Sequence, residues 1–154
     1  MTGIPTLSQM RSWDTAHLDL AADYWASEAQ NWESVFTTAF QAMARPGGQP
    51  WDGDAADRAQ LRAHLDRLRV IGVADLLRTV ADTARAGARD LRAAQRKALD
   101  VVDDATATGF EVDEQLFVSY PGYVNAVRAA VAQEQAIALA TRLHAAATAL
   151  AALD

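Results

Sequence analysis

The sequence predicts an all-α fold: an antiparallel helical bundle built on a long helix-turn-helix hairpin, with a third C-terminal helix. Three observations carry this expectation. Apolar residues recur in alternating steps of four and three, as in Leu18, Ala22, Trp25, Ala29, Trp32, Phe36, Ala39 and Met43. That spacing is the seam of a helix packed lengthwise on another. A dense turn, Gln49-Pro50-Trp51-Asp52-Gly53-Asp54-Ala55-Ala56, separates two such stretches. Only one short segment, residues 109–119, mixes β-branched and aromatic residues in the manner of extended chain.

The first helical region is residues 6–45. Thr6-Leu7-Ser8-Gln9 has the capping-box pattern, with Thr6 as N-cap and Gln9 reaching back. A short segment through Trp13 follows, and Asp14 or Thr15 then caps the main helix. The side opposite its apolar stripe carries Asp19, Asp23 and Glu33. Arg45-Pro46-Gly47-Gly48 ends it with a breaker and then glycines.

Residues 46–53 are the turn. Pro50 cannot continue a helix and its fixed φ suits a bend. Gly53 can take a backbone conformation that a Cβ resists. Asp52 or Asp54 can cap the next helix, where free amides and the helix dipole favour a carboxylate. Trp51 supplies an apolar plug.

Residues 54–106 form the second helix, which contains no proline. Leu61, Leu65 and Leu68 share one stripe, resumed out of phase beyond Gly72 by Val73, Leu77, Val80 and Ala84. Unbroken, it would reach about 80 Å against about 45 Å for the first helix, at 1.5 Å per residue. A bend or stagger near Ile71-Gly72 is the expected resolution. Gly109 stops this helix, residues 109–119 form a short extended clip, and residues 121–153 form the third helix. Its stripe is Ala132, Ala136, Leu139, Leu143, Ala146, Leu150 and Leu153. The whole, 1–154, reads as a single helical domain with no internal repeat.

Composition narrows function mainly by exclusion. Fourteen basic against twenty acidic residues give a net charge of −6, which opposes wholesale phosphate binding. There is no cysteine, so neither a disulfide framework nor a thiolate metal site is available. The N-terminus has no basic region followed by an apolar one, so no classical signal peptide is expected. The most apolar stretch, residues 129–152, is broken by Gln133, Glu134, Gln135, Arg142 and His144, short of the roughly 20 residues of a span. A cytoplasmic protein is expected.

Nothing in the chain calls for catalysis, a cofactor or a metal. His17, His64 and His144 have no ligand partner at helical spacing. A calcium frame begun at Asp103 fails at Ala105 and Ala107. Ser119 lacks a nucleophile elbow. Glu111, Asp113 and Glu114 read as the wet face of a short strand. The second helix concentrates ten of the fourteen basic residues, interleaved with Asp57, Asp66, Asp75 and Asp82 at pairing distance. An alternative function is therefore an acidic helical bundle that binds nucleic acid or nucleoprotein through this Arg-rich helix; charge disfavours that partner. Trp25, Trp32, Phe36 and Phe40 are the candidate seam and interaction residues. Phe40 lies one step off the main stripe and could widen the apolar face towards the third helix or a partner.

Helix, Trp-x-Gly turn, helix resembles the W-x-G superfamily of small helical-hairpin proteins associated with ESX (type VII) secretion. The resemblance covers residues 6–106, with Trp51 and Gly53 as the hallmark of the turn. Leu7-Ser8-Gln9-Met10-Arg11-Ser12-Trp13-Asp14 and Gly109-Phe110-Glu111-Val112 look like a longer mycobacterial subgroup. The resemblance implies a non-enzymatic interaction protein, acting as a secreted factor, partner subunit or cytosolic scaffold or chaperone. Its partner would be a second copy, a W-x-G-type heterodimer subunit or a secretion component. The family's export signal, Tyr-x-x-x-Asp/Glu after the second helix, is not met: Val124 follows Tyr120 at +4 and Val127 follows Tyr123. Type VII export would then depend on a partner's signal, or the protein would work inside the cell.

Overall fold

A computed structural model describes residues 3–122 and 125–153. Four α-helices and one two-stranded β-ribbon make up its regular structure: α1 (Leu7–Ser12), α2 (Ala16–Ala44), α3 (Asp54–Ala107), β1 (Glu111–Val112), β2 (Val118–Ser119) and α4 (Ala126–Ala151). The fold is the all-α hairpin with a C-terminal helix that the periodicity predicts. The chain divides into two compact units. One is Ala16–Ala86; the other combines Met1–Thr15 with Gly87–Asp154. The helix α3 runs through both, and the single-domain expectation meets two clusters that share one helix. Helical structure is uninterrupted across Gly72, and the changeover between units comes further on, at Gly87.

The first unit is the hairpin. Pro46–Gly48 forms a 3-10 turn after α2, with its glycines at positive φ. Gly53, at φ +101°, then redirects the chain into α3, a left-handed conformation that a Cβ strains. The first turn closes with the Asp57 amide donating to the Gly53 carbonyl at 3.0 Å, and Asp54 and Asp57 sit where the helix dipole favours negative charge. Trp51 is half-buried, and its carbonyl accepts from Gln60 Nε2 at 3.3 Å.

Alanine fills the inside of this hairpin. Ala22 and Ala29 on α2, and Ala56, Ala74 and Ala81 on α3, are fully buried. Small side chains let helix axes approach closely, and larger ones are displaced to the flanks. This corrects the seam read from the sequence. Trp32 and Phe36 keep 41% and 38% of their surface exposed, and Met43 is exposed too. Trp25 and Phe40 are half-buried.

The second unit has the larger core. Met10, Leu116, Leu143 and Leu150 are its biggest fully buried side chains, with Leu7, Leu91, Val101, Val102, Phe110 and Val118 around them. The short helix α1 is held at both ends. Thr6 and Gln9 form the expected capping box. Beside it the Glu114 carboxylate accepts from the Ser8 hydroxyl at 2.6 Å and the Ser8 amide at 3.0 Å. At the other end Gln95 Nε2 donates to the Met10 and Trp13 carbonyls at 2.8 and 3.1 Å. The expected extended clip is a tight antiparallel ribbon, Glu111 opposite Ser119 and Val112 opposite Val118. Its turn is held by the Asp113 side chain, which accepts from the amides of Gln115 and Phe117 at 2.9 Å. Asn125 caps α4 by accepting from the Arg128 amide at 3.0 Å.

Candidate interaction surface

At 100° per residue, the hairpin unit sorts its side chains into three surfaces around the buried alanines. The first is a polar flank. Arg78 on α3 grips Glu33 on α2 with both terminal nitrogens, Nη1 at 2.9 Å from Oε1, and Arg85 Nη2 reaches Asp23 at 2.9 Å. Arg67 Nε donates to Thr37 Oγ1 at 3.2 Å while its guanidinium lies over the Phe40 ring, and His64 tilts against the same ring. The hydrogen bonds from Arg78 hold the Glu33 carboxyl below the usual range and raise the Arg78 guanidinium; Asp23 raises Arg85 in the same way.

The second surface is the opposite flank. Phe36, Ala39, Phe40 and Met43 of α2 face Ala59, Arg62, Ala63 and Asp66 of α3 across an open cavity of about 320 Å³. Trp32 lies one turn before Phe36 on this side, its indole N–H donating to Glu28 Oε2 at 3.1 Å. The rim on α3 is a small charge cluster: Asp66 takes Arg62 Nε at 2.9 Å on one oxygen and Arg69 Nη1 at 3.2 Å on the other.

The third surface is the outside of α3. Leu61, Leu65 and Leu68 expose 59%, 44% and 49% of their surface, and Leu76 is exposed beyond them on the same side. The stripe that the sequence offers as core thus points away from the alanine stripe, nearly half a turn round the helix. In the second unit the same helix does turn its large residues inward, at Leu91, Val101 and Val102. The difference lies in which stripe each partner can accept.

Among the described residues no group of three His, Asp or Glu side chains converges to hold a metal. His17 is exposed, His64 is engaged with Phe40, and His144 Nδ1 lies 2.8 Å from the Ala140 carbonyl. Glu114 and Asp113, read from the sequence as a wet strand face, instead hold α1 and the ribbon turn. The second unit has an open cavity of about 410 Å³ beside Asp104, Phe110, Leu139 and Arg142, with Arg142 paired to Asp104 at 3.2 Å. Tyr123 and Val124, which enter the search for an export signal, lie outside the described residues. No helix among the described residues is long and apolar enough to cross a membrane.

Comparison with known proteins places similar chains in mycobacteria. An uncharacterized protein of Mycobacterium bovis is 40% identical over 146 residues. Uncharacterized proteins of two Mycobacterium tuberculosis strains match to the same extent. Each alignment takes in 92% of this chain but 44% of the relative, so the chain spans less than half the length of the curated relatives it matches. No family model matches the chain, and no solved structure is significantly similar to it.

Proposed function

We propose that this chain is a non-enzymatic helical interaction protein of W-x-G type, acting in or beside type VII secretion. One observation carries the reading: the hairpin buries alanines and turns its leucines and aromatics outward. Scattered apolar residues on a surface are ordinary, but rows of large ones, such as Leu61, Leu65 and Leu68 along the outside of α3, support a protein-binding surface. Helices joined by Trp51-Asp52-Gly53, with Gly53 at positive φ, fit the hairpin that the resemblance implies. The subgroup that the resemblance names is mycobacterial, as are the uncharacterized relatives. The nucleic-acid alternative is weakened by the arginines themselves. Arg78 and Arg85 are already engaged by Glu33, Asp75, Asp23 and Asp82, which leaves fewer free for phosphates along α3.

Affinity capture of the tagged chain from its own host, beside a Leu65→Glu/Leu68→Glu variant, tests the reading. Both changes lie at exposed positions, so circular dichroism should be unchanged. Recovery of a helical protein or secretion component by the wild type, lost in the variant, is the expected result. Identical recoveries from the two baits would overturn it.

A further inference from the structure

We propose that the groove near the hairpin turn receives the apolar face of an acidic amphipathic helix from a partner protein. This rests on the interaction reading above and names the chemistry of the partner. The floor is apolar: Phe36, Ala39 and Met43 on one side, Ala59 and Ala63 on the other. Residues 34–44, which supply the α2 wall, contain no ionisable side chain. The α3 wall is cationic. Arg62, exposed, lines the slot with one acid, Asp66, and Arg69, also exposed, follows Asp66 by about one turn. Both oxygens of that acid are engaged, one by Arg62 and one by Arg69. A local excess of guanidinium therefore stands beside an apolar slot, in a chain whose net charge is −6.

A helix suits the slot because it runs between two helices, where side chains spaced i, i+3, i+4 and i+7 seat as knobs. Acidic flanks suit it because charge of opposite sign steers and registers the partner, while a basic helix would meet like charge at the wall. A concave groove also disfavours a flat lipid surface, which would engage the convex side of the helices.

The probe is a synthetic helix with leucines at i, i+3, i+4 and i+7 and glutamates on its flanks, compared with the same peptide carrying lysines there. Fluorescence anisotropy against the full chain reads the binding. The acidic peptide should bind at least about tenfold more tightly than the basic one, and lose affinity as salt is raised. Arg62→Glu/Arg69→Glu should remove that preference, and the milder Arg62→Gln/Arg69→Gln should reduce it, with circular dichroism checking that both variants fold. Equal binding of the two peptides, binding of neither, or binding only to phosphatidylserine vesicles would overturn the proposal. If Leu65→Glu/Leu68→Glu still abolishes capture of the host partner in that event, the interaction reading survives and only the acidic helix falls.

Discussion

Arg78 and Glu33 face each other across the hairpin, one on α3 and one on α2, with two nitrogens on two carboxylate oxygens. This pair lies on the flank away from Trp32 and Phe36. The hairpin is thus two-sided: charge holds one flank shut, and apolar side chains remain available on the other. A bidentate arginine clamp adds geometry as well as attraction, so it fixes the register in which the two alanine stripes meet.

The first prediction concerns acid. Hydrogen bonds from Arg78 depress the Glu33 carboxyl below its ordinary value of 4.5, and those from the Ser8 side chain and amide depress Glu114. A carboxylate lowered in the folded state adds stability that is fully present above the unfolded value and lost as pH falls through the folded one. The melting temperature should therefore hold above about pH 5 and fall below it, and Glu33→Gln or Glu114→Gln should flatten that fall. Thermal melts by circular dichroism from pH 3 to 7 would check this; variants as acid-sensitive as wild type would discount these two groups.

Glycine gives a second prediction, with opposite signs at two sites. A Cβ at Gly72 meets nothing within 4 Å and the residue lies inside a helix, so Gly72→Ala should stabilise by about 0.5–1 kcal/mol. Gly53 is held at φ +101°, so Gly53→Ala should cost about 1–3 kcal/mol. Urea denaturation reads both; a shift of the same sign in the two variants would contradict the turn geometry.

The hairpin interior supplies a third. Ala81 is fully buried while Trp32 is exposed by 41%. Enlarging the former, Ala81→Leu, should cost about 1–3 kcal/mol by overpacking. Trp32→Ala should cost less than that in the isolated chain. The reverse order, measured by chemical denaturation, would restore the aromatic seam that the sequence suggests.

A fourth concerns α1. Glu114 holds its start and Gln95 its end. Glu114→Ala or Gln95→Ala should raise amide hydrogen exchange in residues 7–12 well before the rest of the unit opens. Uniform exchange across the unit would mean that α1 is held by packing at Leu7 and Met10 alone.

Sequence and structure agree where the signal is local. The capping box at Thr6 and Gln9, the positive φ of Gly53 and the end of α3 near Gly109 follow from single residues and their neighbours. The inward face of a helix is different. On α3 the leucines at 61, 65 and 68 and the alanines at 56, 74 and 81 both recur at helical spacing, and hydropathy favours the leucines. Close approach to an alanine-lined α2 selects the alanines instead, a choice that depends on the partner and not on the stripe. Glu114 escaped for a similar reason: its partner, Ser8, lies 106 residues away, beyond the reach of any spacing rule. The groove that is the candidate site became visible only once the inward faces were known.

The measurement that most directly tests the outward apolar face is the stability of Leu61→Gln, Leu65→Gln and Leu68→Gln beside Leu143→Ala, a core control in the second unit. Changes within about 0.5 kcal/mol are expected for each of the three, as for exposed sites, and a loss of about 2–5 kcal/mol for Leu143→Ala. Losses of core size at Leu61, Leu65 and Leu68 would place that stripe inside the hairpin and remove the surface on which the proposed interaction depends.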